Sequence, residues 1–176
     1  ECSVTEKLTV AEYDKPEVTI AGAASVCEGN SVTLVANPNA GAAPTVIYSW
    51  VKAISAPMDD AYSDFNAGAT QTVSAPSDWN GKTEYSETWY VKVKDGHGCI
   101  SDATSATTTI MKSPALTLNP VSICNGNTAE IPYSGLVGTI TSYGGLSENA
   151  GKLVASPTST TTYTLKVENG VCQSIN

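Results

Sequence analysis

Hydrophobic and polar residues alternate along this chain in short runs, broken by clusters of Gly, Pro, Asn and Asp. In the run from Ser31 to Ala36, Val32 and Leu34 share one face and Thr33 takes the other. Further along, Trp89, Val91 and Val93 share a face while Tyr90, Lys92 and Lys94 point away, and Tyr163, Leu165 and Val167 repeat that phase. A period of two marks a half-buried strand, and clean alternation means antiparallel sheets covered on one side. Nothing in the chain carries the period of a long amphipathic helix. Pro132 falls on the outward phase of a predicted strand. Proline has no N–H to give a ladder, so that strand is expected at a sheet edge or interrupted.

The pattern occurs twice. Val26-Cys27-Glu28-Gly29-Asn30-Ser31 matches Ile123-Cys124-Asn125-Gly126-Asn127-Thr128. Ile47-Tyr48-Ser49-Trp50 matches Ile140-Thr141-Ser142-Tyr143, and Trp89 to Val93 matches Tyr163 to Val167. The last pair leads into Asp95-Gly96-His97-Gly98-Cys99 and Asn169-Gly170-Val171-Cys172. Cys2 precedes Cys27, and Cys99 precedes Cys124, by the same 25 residues, which makes residues 1–15 the tail of an earlier copy. The expected organisation is therefore the last strand of a preceding repeat (1–15), repeat 1 (16–113) and repeat 2 lacking its last strand (114–176). Strands spaced about 8–12 residues apart with such turns indicate sandwiches, so the fold class is all-β: tandem immunoglobulin-like antiparallel β-sandwiches. Trp50 and Trp89 are expected in the core. Repeat 1 is the longer, and residues 53–80 read as an insertion carried in loops.

Charge narrows the partners. The formal net charge is −8 and there is no arginine, with the lysines scattered singly. A nucleic-acid binder needs a clustered basic face, so nucleic acid is excluded as a partner, as is anionic lipid. No stretch approaches the roughly 20 apolar residues of a membrane span.

The five cysteines, Cys2, Cys27, Cys99, Cys124 and Cys172, contain no C-x-x-C pair, and His97 is the only histidine. Zinc is not expected. Wide spacing in a β-rich chain reads as disulfides made in an oxidising compartment. Two schemes are open. One bonds each repeat internally, Cys27–Cys99 and Cys124–Cys172. The other joins Cys27 to Cys172. In a sandwich the two cysteine-bearing turns lie at opposite poles, separated by about 20 Å of strand, whereas a disulfide needs Cα atoms within about 7 Å. Head-to-tail stacking would bring Cys27 and Cys172 together, and the geometry leans that way.

Catalytic residues are not expected: His97 sits in a Gly-His-Gly turn with nothing to fix its tautomer, and a filled sandwich offers no cleft. Candidate binding residues lie in the insertion. Trp79, in the turn Asp78-Trp79-Asn80-Gly81, could stack on a sugar ring or fold back over the end of the sandwich. Asp59, Asp60 and Asp64 could supply oxygen ligands to calcium, without EF-hand spacing. No other cofactor is expected.

The run Cys27-Glu28-Gly29-Asn30-Ser31-Val32-Thr33-Leu34, with Trp50, Trp89 to Val93 and Gly98-Cys99, resembles the Ig-like and PKD-like repeats of Bacteroidota surface and gliding-motility-associated proteins. The resemblance implies export by type IX secretion, an extracellular cell-surface location and no catalytic residues. It makes the chain a segment of a fibre or adhesin shaft, with neighbouring repeats or subunits of the same fibre as partners. The alternative is a module that binds a surface glycan or protein through residues 53–80. The strand expected at Ser3 to Ala11 would belong to a longer continuous chain or complete repeat 2 of a neighbouring subunit.

Overall fold

The computed structural model describes residues 4–39, 44–53 and 64–175. Among them there are strands and turns but no helix. The chain packs as two compact units: residues 1–22, 33–71 and 88–106 form one, and residues 23–32, 72–87 and 107–176 the other.

Among the described residues, seven strands come first: β1 (Val18–Ala21), β2 (Ser25–Cys27), β3 (Ser31–Pro38), β4 (Ile47–Lys52), β5 (Thr70–Ser74), β6 (Glu84–Lys94) and β7 (Thr104–Met111). They make a sheet of order β1-β3-β5 and a sheet of order β2-β7-β6-β4. The first strand of the fold is thus split, with β1 antiparallel to β3 and β2 parallel to β7. Gly22 sits at the break with φ of 93°, and a Cβ there would lie 2.2 Å from the carbonyl oxygen of Thr33. Only glycine can turn the chain so close to the neighbouring strand.

Seven strands follow: β8 (Ala115–Leu118), β9 (Ala129–Val137), β10 (Thr139–Ser142), β11 (Ser147–Asn149), β12 (Lys152–Ala155), β13 (Lys166–Asn169) and β14 (Cys172–Ile175). Their sheets run β11-β12-β9-β8 and β10-β13-β14. Lettered A to G in chain order, these are the DEBA and CFG sheets of a seven-stranded immunoglobulin-like sandwich. The expected fold class is what the chain adopts.

Alternation places the cores. In β3, Val32 and Leu34 are buried and Thr33 is exposed. Val91 and Val93 of β6 meet Val18 and Ala36 from the opposite sheet, with Tyr48 and Trp50 packed against them. Trp50 is half-buried, its indole N–H donating to the Gly68 carbonyl at 3.1 Å. Trp89 is likewise half-buried rather than enclosed. In the second set Ile140, Leu153, Leu165 and Val167 form the core, with Ile131 and Tyr133 against it.

Four expectations are corrected. β9 is an interior strand, paired to β12 and β8, although it carries Pro132. The proline is tolerated because it stands where both ladders end: β12 begins at Lys152 opposite it, and β8 stops at Leu118. Its carbonyl accepts from Asn119, and only the return bond is lost. Second, residues 70–74 are not part of an inserted loop but strand β5, with Val73 buried. One apolar residue among four polar ones gave no visible period. Third, the last strand expected to be missing after Cys172 is present as β14, which pairs with β13 across a two-residue turn at Gly170 and Val171. Fourth, residues 4–17 form no strand, and Val4, Leu8 and Val10 stand 85%, 90% and 83% exposed. A strand needs a ladder partner, and among the described residues the segment meets one only at its end, where the Glu17 carbonyl accepts from Asn39 N–H at 2.9 Å just before β1.

Two side-chain arrangements give direct tests. Thr108 of β7 is 1% exposed, and its hydroxyl has no hydrogen-bond partner among the described residues. Thr108→Val removes an unpaired buried oxygen at constant shape and is expected to stabilise the protein by about 1 kcal/mol, read as a higher melting temperature. A lower melting temperature would mean that the hydroxyl is paired in solution. Glu148 accepts from Tyr143 Oη at 2.6 Å and from Tyr133 Oη at 3.0 Å. These bonds, that from Tyr143 foremost, hold the Glu148 carboxyl below its ordinary range, and the bond to Glu148 pushes both phenols up. Stability from the carboxylate is therefore present above the ordinary glutamate pKa and lost as pH falls through the lowered value. Glu148→Gln is expected to bring the alkaline tyrosinate absorbance transition of two tyrosines to lower pH; an unmoved transition would contradict the geometry.

Candidate functional site

The feature with the most convergent chemistry lies within the second compact unit, where the turn after β2 meets the β13–β14 hairpin. Cys27 closes β2, and the chain reverses through Glu28 and Gly29, with φ of 89° at the glycine and Asn30 N–H donating to the Cys27 carbonyl at 3.1 Å. Cys172 opens β14 directly after the hairpin turn. The two sulfurs form a disulfide across 145 residues, with Cα atoms 5.5 Å apart. This is the pairing that the pole geometry favoured. It excludes Cys27–Cys99 and Cys124–Cys172, since Cys99 and Cys124 are free thiols. Cys2 lies outside the described residues.

Polar and close contacts surround the bond. Asn169 Nδ2 donates to the carbonyls of Thr83 and Lys112, both at 2.9 Å. Gly170 has φ of 58°, and a Cβ there would stand 2.9 Å from Met111 Cε, so glycine both makes the turn and admits the methionine. The Glu28 carboxylate accepts from Trp79 Nε1 at 3.0 Å and from the Ser113 backbone N–H at 3.0 Å. Trp79 is thereby anchored, half-buried, against the turn that carries Cys27. Its own loop is the turn read from the sequence: Asn80 has φ of 48°, and its N–H donates to Asp78 Oδ1 at 2.9 Å. Sequence reasoning missed the role of Glu28, because no local pattern reports a carboxylate that binds partners 51 and 85 residues away.

The other sequence candidates are dispersed. Asp64 is exposed, and Asp59 and Asp60 lie outside the described residues. Among the described residues no three His, Cys, Asp or Glu side chains cluster as metal ligands would. A cavity of about 130 Å³ borders Trp79, Asp78 and Tyr85.

The turn at Cys99 differs in chemistry from that at Cys172. Asp95 is 6% exposed, and its Oδ1 accepts from the backbone N–H groups of His97 and Cys99 at 3.0 and 2.9 Å. The carboxylate thus closes its own turn. His97 does have neighbours: Tyr13 stacks on its ring at 3.7 Å between centroids, and Asp95 Oδ2 lies 3.8 Å from Nδ1.

No family model matches the chain, and no curated protein does. Among solved structures, the D00-D0 domain of Intimin is similar over 91% of this chain and 96% of that one, at 11% identity and a TM-score of 0.41.

Proposed function

We propose that this chain is a non-enzymatic structural segment of a secreted surface fibre or adhesin shaft. Its frame is the two immunoglobulin-like repeats read from the sequence, 16–113 and 114–176. The observation that carries the reading is the Cys27–Cys172 disulfide, which ties the first repeat frame to the second rather than closing either on itself. A bond so placed, buttressed by Asn169 on Thr83 and Lys112, ties residues of both repeat frames into one compact unit, which suits a spacer that must hold its form. The bond also supports an oxidising, extracellular location. Display outside the outer membrane after type IX secretion follows from the repeat resemblance, and the partners are neighbouring repeats of the same fibre.

The opposing reading is a binding module centred on Trp79 and the acidic residues of 53–80. Anchoring of the indole N–H on Glu28 leaves Trp79 serving the sandwich end. The test is a glycan array and a surface-protein pull-down with the folded, oxidised chain, beside antibody labelling of intact cells of the source organism. Surface labelling without a ligand is the expected result. A ligand that is lost on Trp79→Ala would replace the shaft with the module, and absence of label from intact cells would overturn both.

A further inference from the structure

Three Asn-Gly pairs stand in turns: Asn80-Gly81, Asn125-Gly126 and Asn169-Gly170. In such a pair the glycine nitrogen has no side chain beside it. It can attack the asparagine amide carbon, provided that the backbone can swing that nitrogen towards Cγ. A turn that holds the backbone, or a bond that holds the amide, prevents this until it opens. Two of the three pairs are so held. Asn169 gives its amide to the carbonyls of Thr83 and Lys112, both at 2.9 Å, and Met111 crowds Gly170. Asn80 is fixed at φ of 48°, with its N–H on Asp78 Oδ1 and the Lys82 N–H on the Trp79 carbonyl at 2.8 Å. The Trp79 indole, tied to Glu28, anchors that turn further.

Asn125-Gly126 lacks these restraints. Both residues are exposed, and a Cβ placed on Gly126 would meet nothing within 4 Å. A single bond closes the turn, from Asn127 N–H to the Cys124 carbonyl at 3.1 Å, so the Gly126 nitrogen is not its donor. The Asn125 amide has no hydrogen-bond partner among the described residues. Residues 119–124, which lead into the turn, belong to no strand, whereas the matching turn of the first repeat is entered from β2. That matching turn carries Glu28 in place of Asn125 and has no amide to lose.

We propose that Asn125-Gly126 is a site of spontaneous modification, at which the chain converts its own asparagine to aspartate and isoaspartate. The Gly126 nitrogen gives up its proton and bonds to Asn125 Cγ. The Cγ–Nδ2 bond breaks, and Nδ2 leaves with that proton as ammonia. A cyclic succinimide remains, and water opens it. Addition of water at Cγ breaks the newly made bond and gives aspartate. Addition at the main-chain carbonyl carbon of Asn125 breaks the original peptide bond and gives isoaspartate, whose main chain runs through Cγ. Either product puts a carboxylate into the turn. Isoaspartate also lengthens the main chain by a methylene, which the bond between Asn127 and Cys124 cannot span unchanged. The site is independent of the shaft reading and needs no co-reactant but water.

The test incubates the full, oxidised chain at physiological temperature in mildly alkaline buffer made with heavy-oxygen water, beside a sample unfolded in guanidinium chloride. Peptides are mapped by mass spectrometry over time, and heavy oxygen taken up marks conversion that preceded digestion. In the unfolded sample all three pairs are expected to convert. In the native sample Asn125 should convert at about its unfolded rate. Asn80 and Asn169 should fall about tenfold or more below theirs, a factor that corresponds to about 1.4 kcal/mol of local opening. Isoaspartyl methyltransferase should label the aged native protein, and Asn125→Gln should remove that label. Asn125 slowed by folding as strongly as the other two, or Asn80 or Asn169 converting as fast as Asn125, would overturn the site. So would an aged Asn125→Gln protein that keeps the label.

Discussion

Cys27→Ala or Cys172→Ala is expected to lower the stability of the oxidised protein by about 2–5 kcal/mol, among the largest effects of any single change. The bond closes a loop of 145 residues, and the entropy that a crosslink removes from the unfolded chain grows with the logarithm of loop length. Packing adds to this, since Cys172 is 2% exposed and its Sγ lies 3.8 Å from the Met111 carbonyl oxygen. Losing the sulfur leaves a gap beside Met111 as well as freeing the loop. Urea denaturation of oxidised wild type and of each alanine variant gives the difference directly. Wild type treated with a thiol reductant should fall to about the level of the variants. Coincident curves for oxidised wild type and variant would mean that the bond does not form.

Leu153→Ala should cost about 2–5 kcal/mol by a different route. Leu153 is fully buried at the centre of the core made with Ile140, Leu165 and Val167. It lies on β12 directly across from Ile131 of β9, in the register that fixes that sheet. Truncation removes apolar area and leaves a cavity that facing strands cannot close without breaking their ladders. Trp50→Ala, by contrast, truncates a half-buried indole bonded to Gly68, and its cost falls below that of an enclosed tryptophan. Hydrogen exchange would separate the two: Leu153→Ala should loosen amides of β9, β12 and β13, and protection unchanged there would place the leucine outside the core.

Which parts of this architecture were legible follows from how local their causes are. Val32, Leu34, Val91, Val93, Leu165 and Val167 announce their strands because burial on one face imposes a period of two on the residues themselves. The cysteine turns are legible for a similar reason, since Gly29 and Gly126 sit where φ must be positive. Strand β5 offered a single buried valine and looked like loop. Pro132 pointed to an edge because the rule concerns the missing donor, and whether that donor would have faced a partner depends on where β8 and β12 end. The hydrogen bonds of Glu28 and Asn169 depend on residues distant in sequence. The cysteine pairing came from geometry, since composition and spacing allowed both schemes.

The placement of the disulfide also decides how this polypeptide responds to tension. A pull applied to its two ends enters at Cys27 and leaves at Cys172, passing through the sulfurs and bypassing every strand from β3 to β13. Those strands can lose their ladders without the molecule growing longer. Reduction of the bond would release about 50 nm of contour length, at roughly 3.5 Å for each of the 145 residues so enclosed. The redox state of one bond thus sets whether the segment extends under load or holds its length.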